Sequence, residues 1–338
     1  MDKIRERARL QAKGACRVCR QCDGRICSGE VPGMGGAGTG LSFRHNFDAL
    51  ATLRFKTKLV HQVHFPKTEK EIFGFKLSFP VMIAPIGGLA FNLNRAMDEA
   101  EYQEAVVMGA QDAGIVSGTP DAAPMEVMQL GLAQAAKTSG RALPFIKPWE
   151  PGEIAEKLSM AKEAGCKTAA VDLDSIGLIT LRLMGRPAYP KSVIELAAIV
   201  DSAHQRGMKL IIKGVMTAED ALDCLTAGVD GLVVSNHGGR VLDSAPGTAE
   251  VLPLVARAVE GAVPVLVDGG VRSGGDVLKM LALGADCVMI GRPFAIAAVG
   301  GGREGVAHYA ETLRSQLEQV MIMTGCPDVA EAGPHLLT

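Results

Sequence analysis

The chain has 338 residues, with 35 Lys+Arg against 37 Asp+Glu and a net charge of −2, so it offers no polybasic surface for nucleic acid or a lipid layer. Hydrophobic residues make up 48% but aromatic ones only 4%, so the core must be built from Val, Ile, Leu, Ala and Met, as in a parallel sheet buried on both faces. No apolar run reaches the ~18 residues of a membrane span, and the charged start Met1-Asp-Lys-Ile-Arg-Glu-Arg lacks a signal peptide's apolar region, which predicts a cytoplasmic protein.

Residues 1–78 show no strand–helix alternation and read as an extension packed on a unit spanning 79–338, not as an independent domain. The extension carries Cys16, Cys19, Cys22 and Cys27 in a Cys-x2-Cys-x2-Cys-x4-Cys spacing, then a Gly-rich run over Gly33–Gly40. Four thiolates within twelve residues can close around tetrahedral Zn2+ or around an iron–sulfur cluster. Unliganded thiols acting as a redox switch are the third reading. The spacing is one residue longer than a ferredoxin run, and no proline follows Cys27. His61 and His64 read as residues flanking an early strand. Cys166, Cys224, Cys287 and Cys326 sit among apolar neighbours and read as packing residues.

From Phe79 onward short β-type runs alternate with helical ones. Strands are expected at Val81–Ala84, Gly114–Ser117, Ala142–Lys147, Thr168–Asp172, Leu210–Lys213, Gly231–Ser235, Val263–Asp268 and Cys287–Gly291. Helices are expected at Glu153–Ala164, Ser192–Arg206, Ala218–Ala227, Thr248–Val259 and Gly274–Leu283. Eight strands alternating with helices predict a (β/α)8 TIM barrel with an N-terminal extension. Ser117, Lys147, Asp172, Lys213, Ser235, Asp268 and Gly291 stand where apolar runs give out, and in a barrel these ends converge on one mouth.

Two of those ends carry Gly/Arg turns: Asp268-Gly269-Gly270-Val271-Arg272 before a helix, and Gly291-Arg292-Pro293 one strand later. Glycines admit a ligand close to the backbone, helix N-terminal amides suit a phosphate, and arginines add charge-assisted contacts. The sixth strand ends in Ser235-Asn-His237-Gly238-Gly-Arg240, which brings an imidazole and a guanidinium together at the mouth. That pairing suits proton abstraction from a substrate whose carboxylate the arginine holds.

These runs, with Leu210-Ile-Ile-Lys-Gly-Val-Met, Leu242-Asp243, Leu252-Pro253 and the tail Ala330-Glu-Ala-Gly-Pro334, resemble the FMN-dependent 2-hydroxy-acid dehydrogenase/oxidase family from about Gly35 to Leu337. Type 2 isopentenyl-diphosphate isomerases share barrel and flavin but lack the Ser-Asn-His-Gly-Gly-Arg run. The resemblance implies FMN, held at its ring by Pro85, Ile86, Gly87 and Ser117 and by Lys213, Ser235 and Gly238. It implies Asp268 at the ribityl chain, with Gly269, Gly270, Arg272, Gly291 and Arg292 around the phosphate. It makes His237 the base, Asp174 its orienting carboxylate, and Arg240 the receiver of the substrate carboxylate.

The departures from the resemblance fall on the substrate side. Pro32 and Trp149 stand where relatives carry tyrosines, and Trp149 is expected to face the substrate. Lys147 and Asp172 replace a glutamine and a threonine and are expected as an ion pair beside the flavin. The loop after Asp174 is short, and Arg182 is the nearest candidate for a second substrate arginine. The implied reaction is oxidation of a 2-hydroxy acid such as lactate or glycolate to the 2-oxo acid. Electrons would leave to oxygen or an electron-carrier protein, and family resemblance implies a homotetramer. The alternative is a flavin-binding redox sensor that uses its cysteines for partner docking.

Overall fold

The computed structural model describes residues 1–338. Helices α1 (Asp2–Gln11) and α2 (Leu41–Thr52) precede an antiparallel hairpin, β1 (Lys70–Ile72) and β2 (Phe75–Leu77). Eight parallel strands then close a barrel in chain order, the last pairing with the first. They are β3 (Val81–Ile83), β4 (Val116–Pro120), β5 (Ala142–Ile146), β6 (Thr168–Asp172), β7 (Lys209–Val215), β8 (Gly231–Val234), β9 (Val265–Val267) and β10 (Cys287–Ile290). The crossovers contain α3 (Leu89–Asn92), α4 (Glu99–Asp112), α5 (Met125–Lys137), α6 (Pro151–Glu163), α7 (Ile179–Leu183) and α8 (Val193–Gln205). The circuit finishes with α9 (Ala218–Thr226), α10 (Thr248–Val259), α11 (Gly274–Ala282) and α12 (Arg292–Thr324). This is the expected TIM barrel.

Strand residues are buried on both faces, which is why they read as continuous apolar runs rather than alternating ones. The helices start where capping chemistry allows. Ser192 with Glu195, and Ser273 with Asp276, form capping boxes at α8 and α11, and Asp98 and Thr217 cap α4 and α9. The barrel interior is filled by Met82, Val116, Leu143, Phe145, Ala170, Ile211, Val233, Leu266, Cys287 and Met289, joined by Ile72, Phe73, Phe75 and Leu77 of the hairpin. Phe73 lies against Gly231 at the start of β8, so the hairpin closes the N-terminal floor. The mouth lies at the opposite end.

Residues 53–69 form no regular strand, contrary to the early strand expected beside His61 and His64; isolated bridges at Phe55 and Lys67 and scattered backbone hydrogen bonds, such as Lys58 N–H to the Met323 carbonyl, tie them to the C-terminal region. Helix α1 lies against α12, where Gly300 lets the backbone of Ile4 approach, and α12 breaks at Gly302. The extension is also pinned to the loop after β8. Asp243 accepts from Thr39 and Leu41 amides, and Asn46 and Asn236 bond to each other.

Candidate active site

Beyond β8 the chain enters a left-handed turn, with φ of 57° at His237, 64° at Gly238 and 78° at Gly239. A Cβ on Gly239 would meet the Phe43 amide at 2.3 Å, so only glycine fits there. The turn folds the imidazole back over the strand ends, where Nδ1 lies 3.0 Å from Asp174 Oδ1. The non-glycine αL conformation of His237 is the kind of local strain that collects at working sites.

Beneath the imidazole is a buried charge network. Lys213 Nζ donates to Asp172 Oδ1 at 2.9 Å and lies 3.7 Å from Asp174, 3.9 Å from Asp268 and 3.4 Å from His237 Nδ1. Lys147 pairs with the other Asp172 oxygen, so the expected Lys147–Asp172 pair exists and includes Lys213 as a third member. Ligand atoms of Asp172, Asp174 and His237 lie within 4.8 Å of one another, but the Lys213 ammonium already supplies the cation at their centre.

The electrostatics follow from these contacts. Burial alone would raise the Asp172 carboxyl, but Lys147 and Lys213 hold it well below the usual carboxylate range. Burial would lower Lys213, yet Asp172, Asp174 and Asp268 hold it above its ordinary value, so it stays charged. Burial and the Lys213 charge lower His237, against the pull of Asp172 and Asp174, leaving a neutral ring at pH 7. With Nδ1–H donated to Asp174, the lone pair sits on Nε2, which has no hydrogen-bond partner in the protein. Asp268, which accepts from Ser235 Oγ at 2.8 Å, is pushed by burial up to about 6.

A cleft of about 1210 Å3, part of it open to solvent, runs over this network. Of the expected residues, Pro85, Ile86, Gly87, Lys147, Lys213, His237, Gly238, Arg240, Asp268, Gly269, Gly270, Arg272, Gly291 and Arg292 line it. Asp172, Asp174 and Ser235 lie under its wall, within the network. Arg240 donates to Asn92 Oδ1 at 2.7 Å, its Nε has no partner, and no carboxylate pairs with it; burial lowers it to about 10. A half-buried guanidinium with no carboxylate partner, facing a cleft, is a receptor for an anion.

At the other end of the cleft the amides of Gly269, Gly270 and Gly291 have no acceptor in the protein. With Arg272 and Arg292 beside them they fit a phosphate, and Lys213 at the strand ends fits the electron-rich edge of a flavin, so these residues suit FMN. Arg292 is partly committed, donating to the carbonyls of Met34, Gly35 and Gly238. Arg272 donates to the Cys22 carbonyl.

Three expected residues sit elsewhere. Trp149 does not line the cleft: it is buried, and its indole N–H donates to Asp121 at 2.7 Å. Lys157 and Arg186 both lie over its ring, at 5.0 and 4.4 Å from the centroid, and its hydrogen bond is spent inside the wall. Ser117 is wholly buried with its hydroxyl donated to the Gly118 carbonyl, away from the cleft. Arg182 is exposed and lines a separate surface groove with Ile176 and Tyr189.

Sequence reasoning missed Asp121, Asn92 and Met34, all of which line the cleft. Asp121 was findable as the polar end of β4, had that strand been extended through Thr119-Pro120. It accepts from the Lys147 amide, the Trp149 indole and Lys157 Nζ, and so organises one wall.

The family described as FMN-dependent dehydrogenase matches residues 33–182 and 188–338. An L-lactate oxidase of Lactobacillus jensenii is 31% identical over 320 residues, covering 86% of this chain and 76% of that protein. A 4-hydroxymandelate oxidase of Amycolatopsis orientalis is 30% identical over 343 residues, covering 88% of this chain and 90% of its own. A crystal structure of mandelate oxidase with (S)-2-phenylpropionate superposes with a TM-score of 0.79 at 27% identity, covering all of this chain and 97% of that one.

Proposed function

The chain belongs to the family of FMN-dependent dehydrogenases, and from that premise we propose that it oxidises a 2-hydroxy acid to the 2-oxo acid in the cleft at the barrel mouth. One observation carries the reading: a neutral imidazole oriented by Asp174 and an unpaired Arg240 guanidinium share one wall.

Arg240 receives the substrate carboxylate and thereby sets the hydroxyl-bearing carbon near the strand ends. His237 Nε2 takes the hydroxyl proton. The imidazolium that results is stabilised by Asp174 at Nδ1 and by the nearby Asp172 carboxylate. FMN, when bound, supplies the hydride acceptor, with its phosphate at the amides of Gly269, Gly270 and Gly291 and at Arg272 and Arg292. Lys213 keeps a permanent positive charge below the imidazole, where negative charge on a reduced ring would be stabilised. Lys147, bonded to Asp172, keeps that carboxylate ionised in turn.

Phe91, Leu178, Leu181 and Met184 give the cleft an apolar rim, which suits a substrate side chain larger than the hydrogen of glycolate. A cytoplasmic homo-oligomer that delivers electrons to oxygen or to a carrier protein completes the reading. The test is anaerobic mixing of the flavin-loaded protein with glycolate, lactate, mandelate and longer 2-hydroxy acids. Bleaching of the flavin band by at least one supports the proposal; an unchanged band across the panel overturns it.

A further inference from the structure

The four cysteines of the extension lie before residue 33, outside the part of the chain that the family explains. All four thiols are free. They line one small cavity together with Met34, Arg292 and Ile296. Met34 and Arg292 also line the cleft, so one pair of side chains forms a wall between the two spaces.

Three observations identify what such a cavity would take. The first is spacing. A tetrahedral zinc with Zn–S bonds of about 2.3 Å holds its thiolates about 3.8 Å apart. The only set of three or more His, Cys, Asp or Glu ligand atoms within 4.8 Å of one another is Asp172, Asp174 and His237, so no three of these sulfurs reach that spacing. A four-iron cubane carries its thiolates on outer corners and spreads them several ångströms wider.

The second is hydrogen bonding. The amides of Cys19, Cys22, Gly24 and Cys27 have no acceptor in the protein. Val18 N–H points at Cys16 Sγ at 3.4 Å, and Arg272 Nη2 lies 3.6 Å from Cys22 Sγ. Thiolates of either centre accept from such donors, and a cluster's inorganic sulfides add further acceptors that a single zinc ion does not.

The third is charge. Arg5 and Arg9 donate to carbonyls of the cysteine loop, Arg272 to that of Cys22, and Arg292 lines the cavity. A four-thiolate iron–sulfur centre is anionic, and this ring of guanidinium groups matches it.

We propose that Cys16, Cys19, Cys22 and Cys27 together ligate one four-iron, four-sulfur cluster, separated from the phosphate end of the cleft by the Arg292–Met34 wall. The cluster takes the place of a hydrophobic core for a segment that has no regular secondary structure between α1 and α2. Val18, a β-branched residue held at φ 45° between two of the ligands, is kept there by that ligation.

The experiment is iron, acid-labile sulfide and zinc analysis of anaerobically purified full-length protein, with electron paramagnetic resonance after dithionite reduction. The expected result is about four iron and four sulfide per chain and a reduced-cluster signal. The Cys19→Ser and Cys27→Ser variants should lose most of the iron, with FMN content followed separately by mass spectrometry so that the flavin reading is judged on its own. About one zinc per chain without sulfide overturns the proposal, as does a metal-free protein with four titrating thiols.

Discussion

Replacing Asp268 by Asn should stabilise the cofactor-free protein, and by more at high pH than at low. Asp268 is buried at 8% exposure with its carboxyl pushed up to about 6 from an ordinary 3.8. A carboxyl whose folded value exceeds its unfolded one carries no penalty below about 3.8, and a growing penalty as pH rises towards 6 and beyond. At about 1.36 kcal/mol per pKa unit the full penalty is about 3 kcal/mol at pH 8, against about 1.6 kcal/mol at pH 5. Asn keeps the shape and an oxygen for the Ser235 hydroxyl, but does not titrate. The stability gap in favour of Asp268→Asn should therefore widen by about 1.4 kcal/mol from pH 5 to pH 8, read from urea unfolding of both proteins at each pH. A gap that stays constant or narrows with rising pH would refute the argument that desolvation outweighs Lys213 at this carboxyl.

His237→Ala should retain FMN yet slow reduction of the flavin by substrate at least ~100-fold in stopped-flow mixing. Gly291→Ala should fold, since its Cβ would meet the flexible tip of Ile86 at 3.3 Å and Ala84 Cβ at an ordinary 3.6 Å, but bind FMN ~10-fold or more weakly in fluorescence titration because the methyl enters the cradle. Lys157→Met should cost about 3–5 kcal/mol in chemical denaturation: Lys157 is fully buried and donates to Asp121 at 2.7 Å, so its loss leaves a carboxylate under-compensated.

The barrel was legible because a strand buried on both faces must be apolar throughout, so runs such as Leu232-Val-Val and Val265-Leu-Val announce themselves and end in polar residues at the mouth. Where those runs end early, the reading fails. The run expected to end at Ser117 continues as strand β4 through Gly118, Thr119 and Pro120, with Gly118 wedged among Ile83, Pro85 and Phe145, where a Cβ would sit 3.0 Å from each. That hid Asp121, and without Asp121 nothing in the sequence shows that the Trp149 indole is already engaged. Lys147 and Asp172 were legible as a pair because they end adjacent strands, β5 and β6, on the same side. The meeting of Arg272 and Arg292 with Cys22, Met34 and Gly35 was not, since contacts across 250 or more positions leave no local pattern.

The floor hairpin has a consequence for how the chain is made. Ile72, Phe73, Phe75 and Leu77 share one cluster with Cys287 and Met289 of β10. At ribosomal speeds of about 5–20 residues per second, the roughly 215 residues between them take on the order of 10 to 40 s to emerge. Throughout that time two phenylalanines destined for the barrel interior have no closed barrel to enter, and half-built sheets expose unpaired strand edges. The nascent chain is thus most vulnerable to aggregation until β10 arrives, and a chaperone that engages the hairpin would serve it better than one that waits for the finished barrel.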